Sequence, residues 1–264
     1  MSPLIFEKVS FQYPQAEKPV FEGFSLEFAA GVTSVVGQNG TGKSTLLLLA
    51  AGALLPTSGT VWLHGINTAE LRDETVRQRY VSFIFQNMEF ETEEPVGALL
   101  EYVAAHGFSA DRRPAVIAQM IEAFQLTAFL DRKTQELSKG ELQRAILAFS
   151  LLYGTPTIIM DEPIFALEEP QKQRALQFLN EFARQSQLNI YYTMHELALS
   201  QQYSASSLLL SPHHPPRYGA TADVLTREHI ERAYNAPLTF LKSKEHLYRE
   251  ALKVQHEQRK HQRN

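Results

Sequence analysis

The sequence predicts an α/β fold: a parallel sheet flanked by helices, with its functional residues along the carboxyl edge of the strands. Three observations predict it. Short apolar, β-prone runs alternate with helical stretches, and one such run, residues 32–36, leads directly into a glycine-rich loop and then a helix. Two later runs end in reactive side chains, residues 157–160 in Asp161 and Glu162, and residues 190–194 in His195. Strands alternating with helices, with such side chains at the strand ends, describe a parallel sheet whose site lies on one edge.

Taken in order, residues 4–6, 9–11 and 24–28 are β-like stretches that lead, as a twisted sheet, through residues 32–36 into the loop. Ser44 opens a helix that runs through the leucines to Ala50. Pro56-Thr57-Ser58-Gly59 is a turn and residues 60–63 a strand. Residues 79–85 read as another strand, stopped by Gln86. From 87 to about 135 the pattern turns helical, with Val116, Met120, Ile121 and Phe124 on one face, which makes that face core. A helix follows over 140–153, then the strand before Asp161, a helix over 171–185 and the strand before His195. No internal repeat is visible. Composition drifts from about 216, and residues 242–264 hold seven Lys or Arg against three Glu. That tail reads as a solvated helix with a frayed end, with contact to anionic lipid headgroups or a partner as the alternative.

Composition narrows the function. The chain has 264 residues, 44% of them hydrophobic, enough for one large domain or a domain with a subdomain. A net charge of −4 and a pI near 6.2 argue against a dominant nucleic-acid surface, and no nucleic-acid partner is expected. With no cysteine, disulfides, Cys-ligated zinc and thiol catalysis are excluded together. The nine histidines show no H-x-x-x-H or H-E-x-x-H spacing, which argues against a structural metal site. The N-terminus lacks the pattern of a signal peptide. The longest apolar run, residues 46–55, falls well short of the ~20 residues of a membrane span, so a soluble chain is expected, anchored by something else if it works at a membrane.

Gly37-Gln38-Asn39-Gly40-Thr41-Gly42-Lys43-Ser44 fits G-x-x-x-x-G-K-[ST], the phosphate loop. Gly37, Gly40 and Gly42 let the backbone curl so that its N–H groups point at an anion. The helix N-terminus adds roughly +0.5 of an elementary charge. Lys43 supplies a full charge to the β- and γ-phosphates and the Ser44 hydroxyl can ligate Mg²⁺; Asn39 and Thr45 complete the expected ATP contacts. Asp161, where a strand leaves the core, can face that metal, and Glu162 is the candidate base for an attacking water. Taken singly, the loop can be read as an ordinary Gly-rich turn and the Asp-Glu pair as a helix cap. Together they describe a nucleoside triphosphate site.

Leu137-Ser138-Lys139-Gly140-Glu141 resembles the LSGGQ signature of ABC (ATP-binding cassette) proteins, with Ser138 placed 23 residues before Asp161. Gln86 resembles the Q-loop glutamine, His195 the switch histidine and Tyr13 the aromatic that stacks on adenine. The resemblance covers roughly residues 4–240. It implies a P-loop NTPase (RecA-like) parallel-sheet core, an antiparallel β N-terminal part and an inserted helical subdomain at about 87–139. The ATPase domain would then be 1–240 and the basic tail 241–264. It further implies that Gln86 touches Mg²⁺ or the attacking water, and that His195 bonds the γ-phosphate and holds Glu162 and the water in line. Ser138 and Gly140 would open a helix whose N-terminus binds the γ-phosphate held by a second subunit, so that two chains sandwich two ATP molecules.

Two departures stand out. Lys139 replaces the first glycine of the signature, and Glu168 in Phe165-Ala166-Leu167-Glu168 stands where the family usually has Asp. The resemblance implies an ATPase subunit of a transporter, peripheral on the cytoplasmic face of the membrane. Its partners would be membrane-spanning permease subunits, a second ATPase subunit, expected to be another copy, and a substrate-binding protein. A groove bearing Glu89, Glu91, Glu93 and Glu94 is expected to receive a basic partner segment. Gly219-Ala220-Thr221-Ala222-Asp223-Val224-Leu225-Thr226 and Tyr234 resemble importers of iron-siderophore, haem or vitamin B12 type, with zinc or manganese importers close behind. The alternatives are an exporter ATPase, since Lys139 occurs in some of those signatures, a non-transport ABC ATPase, and a sensor that binds ATP without turnover.

Overall fold

A computed structural model describes residues 2–108, 114–241 and 243. Apart from Leu241 and Ser243, the basic tail expected over 241–264 lies outside the described residues. In chain order the strands are β1 (Leu4–Phe11), β2 (Phe21–Phe28), β3 (Val32–Gly37), β4 (Ser58–Leu63), β5 (Ile66–Asn67), β6 (Val81–Ile84), β7 (Thr157–Met160), β8 (Asn189–Thr193), β9 (Ser206–Leu210) and β10 (Arg217–Ala220). The helices are α1 (Lys43–Ala50), α2 (Glu74–Arg77), α3 (Val96–His106), α4 (Pro114–Ala123), α5 (Lys139–Tyr153), α6 (Glu169–Ser186), α7 (Leu197–Tyr203), α8 (Thr221–Val224) and α9 (Arg227–Tyr234). Two sheets form. One is antiparallel in the order β2-β1-β4-β5; the other, in the order β10-β9-β3-β8-β7-β6, is parallel except for β10.

Side-chain alternation explains the first sheet. Leu4 and Phe6 are buried, as period two requires, and then Val9 and Phe11 are buried, one residue out of phase. An irregularity in both pairings between Phe6 and Ser10 re-phases the strand, with Lys8 at φ 48°. Gly59 on β4 passes so close to this bulge that a Cβ there would lie 2.2 Å from the Lys8 carbonyl oxygen. Phe6 then packs its ring edge on Phe24 at 5.4 Å. In the second sheet every residue of β3, β7 and β8 is buried, the expected state of parallel strands covered on both faces.

Two main cores result. Phe6, Phe28, Leu46, Leu49 and Val61 fill the space around α1 and the antiparallel sheet. Leu100, Met120, Phe124, Leu147 and Leu176 fill the helical side. Met120 and Phe124 are fully buried while Val116 and Ile121 pack partly buried on the same cluster, as the helical spacing predicts.

The helical stretch expected over 87–135 is interrupted. Residues 87–95 are not helical, and Pro95 makes an isolated bridge to Lys133 before α3 begins. Proline lacks the N–H a continuing helix needs and disfavours the α conformation of the residue before it. The strand expected over 79–85 is only β6, because the Tyr80 N–H is taken by the Arg77 carbonyl in the turn after α2. Strands β9 and β10 and helices α7, α8 and α9 have no counterpart in the sequence reading. β9 pairs with β3, and its Ser207 is buried in a hydroxyl chain, Ser34 to Ser207 to Thr221, each step 2.8 Å.

Candidate nucleotide site

Packing dictates two glycines of the loop between β3 and α1, Gly37 and Gly42. A Cβ on Gly37 would meet the Leu210 carbonyl oxygen at 2.6 Å, and one on Gly42, at φ 90°, would meet Val20 Cγ1 at 2.6 Å. A larger side chain at Gly37 would have to move the β9 backbone, and one at Gly42 the side chains of Val20 and Phe21. Lys43 is the first residue of α1, and its ammonium donates to the carbonyl oxygens of Gly37 and Gln38, both at 2.9 Å. Burial lowers the Lys43 pKa below the ordinary lysine value; the charges of Glu162 and Asp161 oppose that shift, so both carboxylates act on this ammonium. No acidic residue occupies the first turn of α1, which leaves its positive end uncompensated. Asn39, Gly40 and Ser44 are exposed. Thr45 is buried, and its hydroxyl lies 3.1 Å from the Tyr13 hydroxyl. Tyr13 makes a T-shaped contact with Phe11 at 4.9 Å and keeps 39% of its surface exposed.

Strands β6, β7 and β8 are consecutive neighbours, and the chain leaving each carries expected residues: Gln86 after β6, Asp161 and Glu162 after β7, His195 after β8. With neighbouring strands ~4.8 Å apart, side chains at adjacent strand exits are within reach of one another. Gln86 and His195 meet at Glu162. Its Oε1 lies 2.6 Å from His195 Nε2, and its Oε2 accepts from Gln86 Nε2 at 3.0 Å. When Glu162 is ionised its carboxylate only accepts, and Nε2 is then the donor of the first contact. The Glu162 side chain is 13% exposed and that of His195 39%.

Two further residues hold this glutamate, and no linear motif announces either. Glu162 has φ 51°, an uncommon conformation for a residue other than glycine. Its N–H donates to the Thr193 hydroxyl at 2.9 Å and its carbonyl accepts from Gln143 Nε2 at 3.3 Å. The Thr193 hydroxyl in turn donates to Asp161 Oδ1.

Ser138 and Gly140 stand apart from this cluster, at the start of α5. Ser138 is the N-cap: its hydroxyl accepts from the Glu141 N–H at 3.3 Å, and its own N–H donates to Glu141 Oε2 at 2.7 Å. Burial pushes the Glu141 carboxyl up, but the Ser138 hydrogen bonds and the charges of Arg132 and Arg144 outweigh it and leave the pKa below the ordinary value. A Cβ on Gly140 would lie 2.9 Å from the Ala166 carbonyl oxygen, and Gln143 Oε1 accepts from the Ala166 N–H at 3.1 Å. The first turns of α5 thus rest on the 162–166 turn. Lys139 points the other way and pairs with Glu89 at 3.2 Å across a groove lined by Phe85, Met88, Leu142 and Ile146. Glu93 is also paired, with Lys133 at 2.5 Å. Two of the four glutamates expected to face a basic partner are therefore neutralised within the chain. Glu168 caps α6, its N–H donating to Gln171 Oε1 at 3.2 Å.

The donor set bears on Mg²⁺. Among the described residues no group of three or more His, Asp or Glu could hold a metal ion alone. The hard oxygen donors Ser44 and Asp161 fit a magnesium ion that takes its remaining ligands from phosphates and water.

The ABC transporter family matches residues 21–165. The phosphonates import ATP-binding protein PhnC 2 of Synechococcus sp. is 29% identical over 215 residues, covering 76% of this chain and 79% of its own. The energy-coupling factor transporter ATP-binding protein EcfA1 of Lactobacillus gasseri is 30% identical over 200 residues, covering 72% and 69%. Among solved structures, an ATP-binding cassette in a dimeric post-hydrolysis state with ADP and Pi superposes with a TM-score of 0.69 at 21% identity, over 83% of this chain and 98% of that one; the likeness is one of fold.

Proposed function

The chain belongs to the ABC transporter family as one of its ATP-binding, ATP-hydrolysing subunits, and on that ground we propose that Glu162 is its catalytic base and that hydrolysis drives solute import. The observation that carries the reading is the meeting of Gln86 and His195 on the two oxygens of Glu162, beside a loop whose lysine senses both strand-end carboxylates. The loop amides, the N-terminus of α1 and Lys43 bind the phosphates of ATP. Tyr13 offers its ring face to the base, fixed by its hydroxyl on Thr45. Glu162 takes the proton of the attacking water, while the His195 Nε2–H and the Gln86 amide fix the direction of its carboxylate; a positioned base of this kind contributes about 10²–10⁴-fold. Ser44 and Asp161 would hold Mg²⁺, which when bound supplies the charge that offsets the phosphates.

Two copies are proposed to close head to tail, so that the Ser138 N–H groups at the start of α5 face the γ-phosphate bound by the other copy. No helix among the described residues is long and apolar enough to cross a membrane. On the family match we propose that the chain works at the cytoplasmic face of the membrane, bound to separate permease subunits and served by a substrate-binding protein. Import is supported by the phosphonates import relative above, and a siderophore, haem, cobalamin or metal cargo by the 219–234 resemblance. The test locks the Glu162→Gln chain with ATP and Mg²⁺ in native membranes and identifies by mass spectrometry what co-purifies. A polytopic subunit with a binding protein is the expected result. Exporter subunits reverse the direction, and soluble partners alone overturn the transport assignment.

A further inference from the structure

We propose that Thr193 is a positioning residue of the hydrolytic site, its hydroxyl fixing Asp161 and Glu162 relative to each other. The inference rests on the reading of Asp161 as the metal-side carboxylate and Glu162 as the base. Thr193 is the last residue of β8 and fully buried. One atom serves both neighbours: Oγ1 accepts the Glu162 N–H at 2.9 Å and donates its proton to Asp161 Oδ1. The roles cannot exchange, because a peptide N–H only donates and an ionised carboxylate only accepts.

The position of this bond in the sheet gives it its function. The backbone ladder continues one residue past β7, where the Asp161 N–H donates to the Ile84 carbonyl at 2.9 Å. At Glu162 the chain turns into the left-handed region and its N–H goes to the Thr193 side chain instead of to a strand. A left-handed residue other than glycine persists where its surroundings over-determine it. Thr193 grips Glu162 on the amide side and Gln143 on the carbonyl side. β-Branching restricts χ1 of Thr193, so its hydroxyl is already aimed. Asp161 and Glu162 are adjacent in sequence but face different tasks, and the shared hydroxyl removes the freedom of one to turn without the other.

The test compares the wild-type, Thr193→Val, Thr193→Ser and Glu162→Gln chains by steady-state ATP hydrolysis, by binding of a fluorescent ATP analogue with and without Mg²⁺, and by thermal unfolding. Valine keeps the shape and removes the hydroxyl; serine keeps the hydroxyl. For Thr193→Val the expected results are a kcat lower by about tenfold, a KM for ATP within about twofold, and an apparent Mg²⁺ affinity, read from analogue binding, lower by about threefold. Thr193→Ser is expected to stay within about twofold of wild type. If the valine chain is insoluble, Thr193→Ala against Thr193→Ser carries the same contrast. Wild-type turnover in Thr193→Val overturns the inference. So does a Thr193→Ser chain as impaired as Thr193→Val, which would assign the effect to packing. Wild-type turnover in Glu162→Gln brings down the underlying reading of the site, and the inference with it.

Discussion

His195 Nε2 lies 2.6 Å from Oε1 of Glu162, joining the exits of two neighbouring parallel strands through a single hydrogen bond. The histidine side chain is three times as exposed as the glutamate, 39% against 13%, so the contact links an accessible donor to a sheltered carboxylate. Its value to hydrolysis is orientation, because the contact holds one carboxylate oxygen while Gln86 holds the other.

Replacing His195 by Ala removes that donor and leaves the phosphate loop untouched. We expect kcat to fall by on the order of 10²-fold with KM for ATP nearly unchanged. Steady-state hydrolysis over a range of ATP concentrations checks this. A raised KM at unchanged kcat would make His195 a ground-state ligand only.

Gly140→Ala forces the start of α5 away from the Ala166 carbonyl, since the new Cβ would lie 2.9 Å from that oxygen. Overpacking of this kind costs about 1–3 kcal/mol, to be read from chemical denaturation. Lys139→Ala on the same turn removes only a solvent-exposed ion pair with Glu89 and is expected to cost no more than about 1 kcal/mol. Equal losses at the two positions would contradict the packing argument.

His64 carries a pH prediction. Its Nε2 lies 2.7 Å from the Thr157 hydroxyl, and burial lowers its pKa below the ordinary value of 6.5. Between the lowered folded value and 6.5 the unfolded chain binds more protons than the folded one, so stability is fully present above 6.5 and declines as pH falls below it. Asn tolerates the left-handed backbone of position 64 and does not titrate. Thermal unfolding between about pH 7.5 and 5.5 should therefore show a smaller decline in His64→Asn than in wild type.

How much of this could be read from the sequence varied with how local the chemistry is. The phosphate loop was legible because eight consecutive residues carry it; Leu210 and Val20 crowd Gly37 and Gly42, while Gly40 stands in open space at φ 80° and is set by its backbone conformation. Gln86, Glu162 and His195 were legible as strand-end residues. That they share one carboxylate depends on the order β8-β7-β6, which no linear pattern states. Thr193 and Gln143 were illegible for the same reason: each acts on Glu162 through space, from another strand and from a helix. β9 escaped notice because its first two residues are serines, and the buried Ser207 is satisfied by Ser34 and Thr221 rather than by apolar packing. The break before α3 was marked by Pro95, and the helical spacing that predicted the stretch, Val116 to Phe124, lies wholly after it.

The central claim, that Glu162 is the base on which this site converges, is tested most directly by the single-turnover rate of ATP hydrolysis in Glu162→Gln, with ATP binding measured on the same sample. The account predicts a rate lower by about 10²–10⁴-fold with ATP affinity retained. A variant that hydrolyses ATP at the wild-type rate would contradict it.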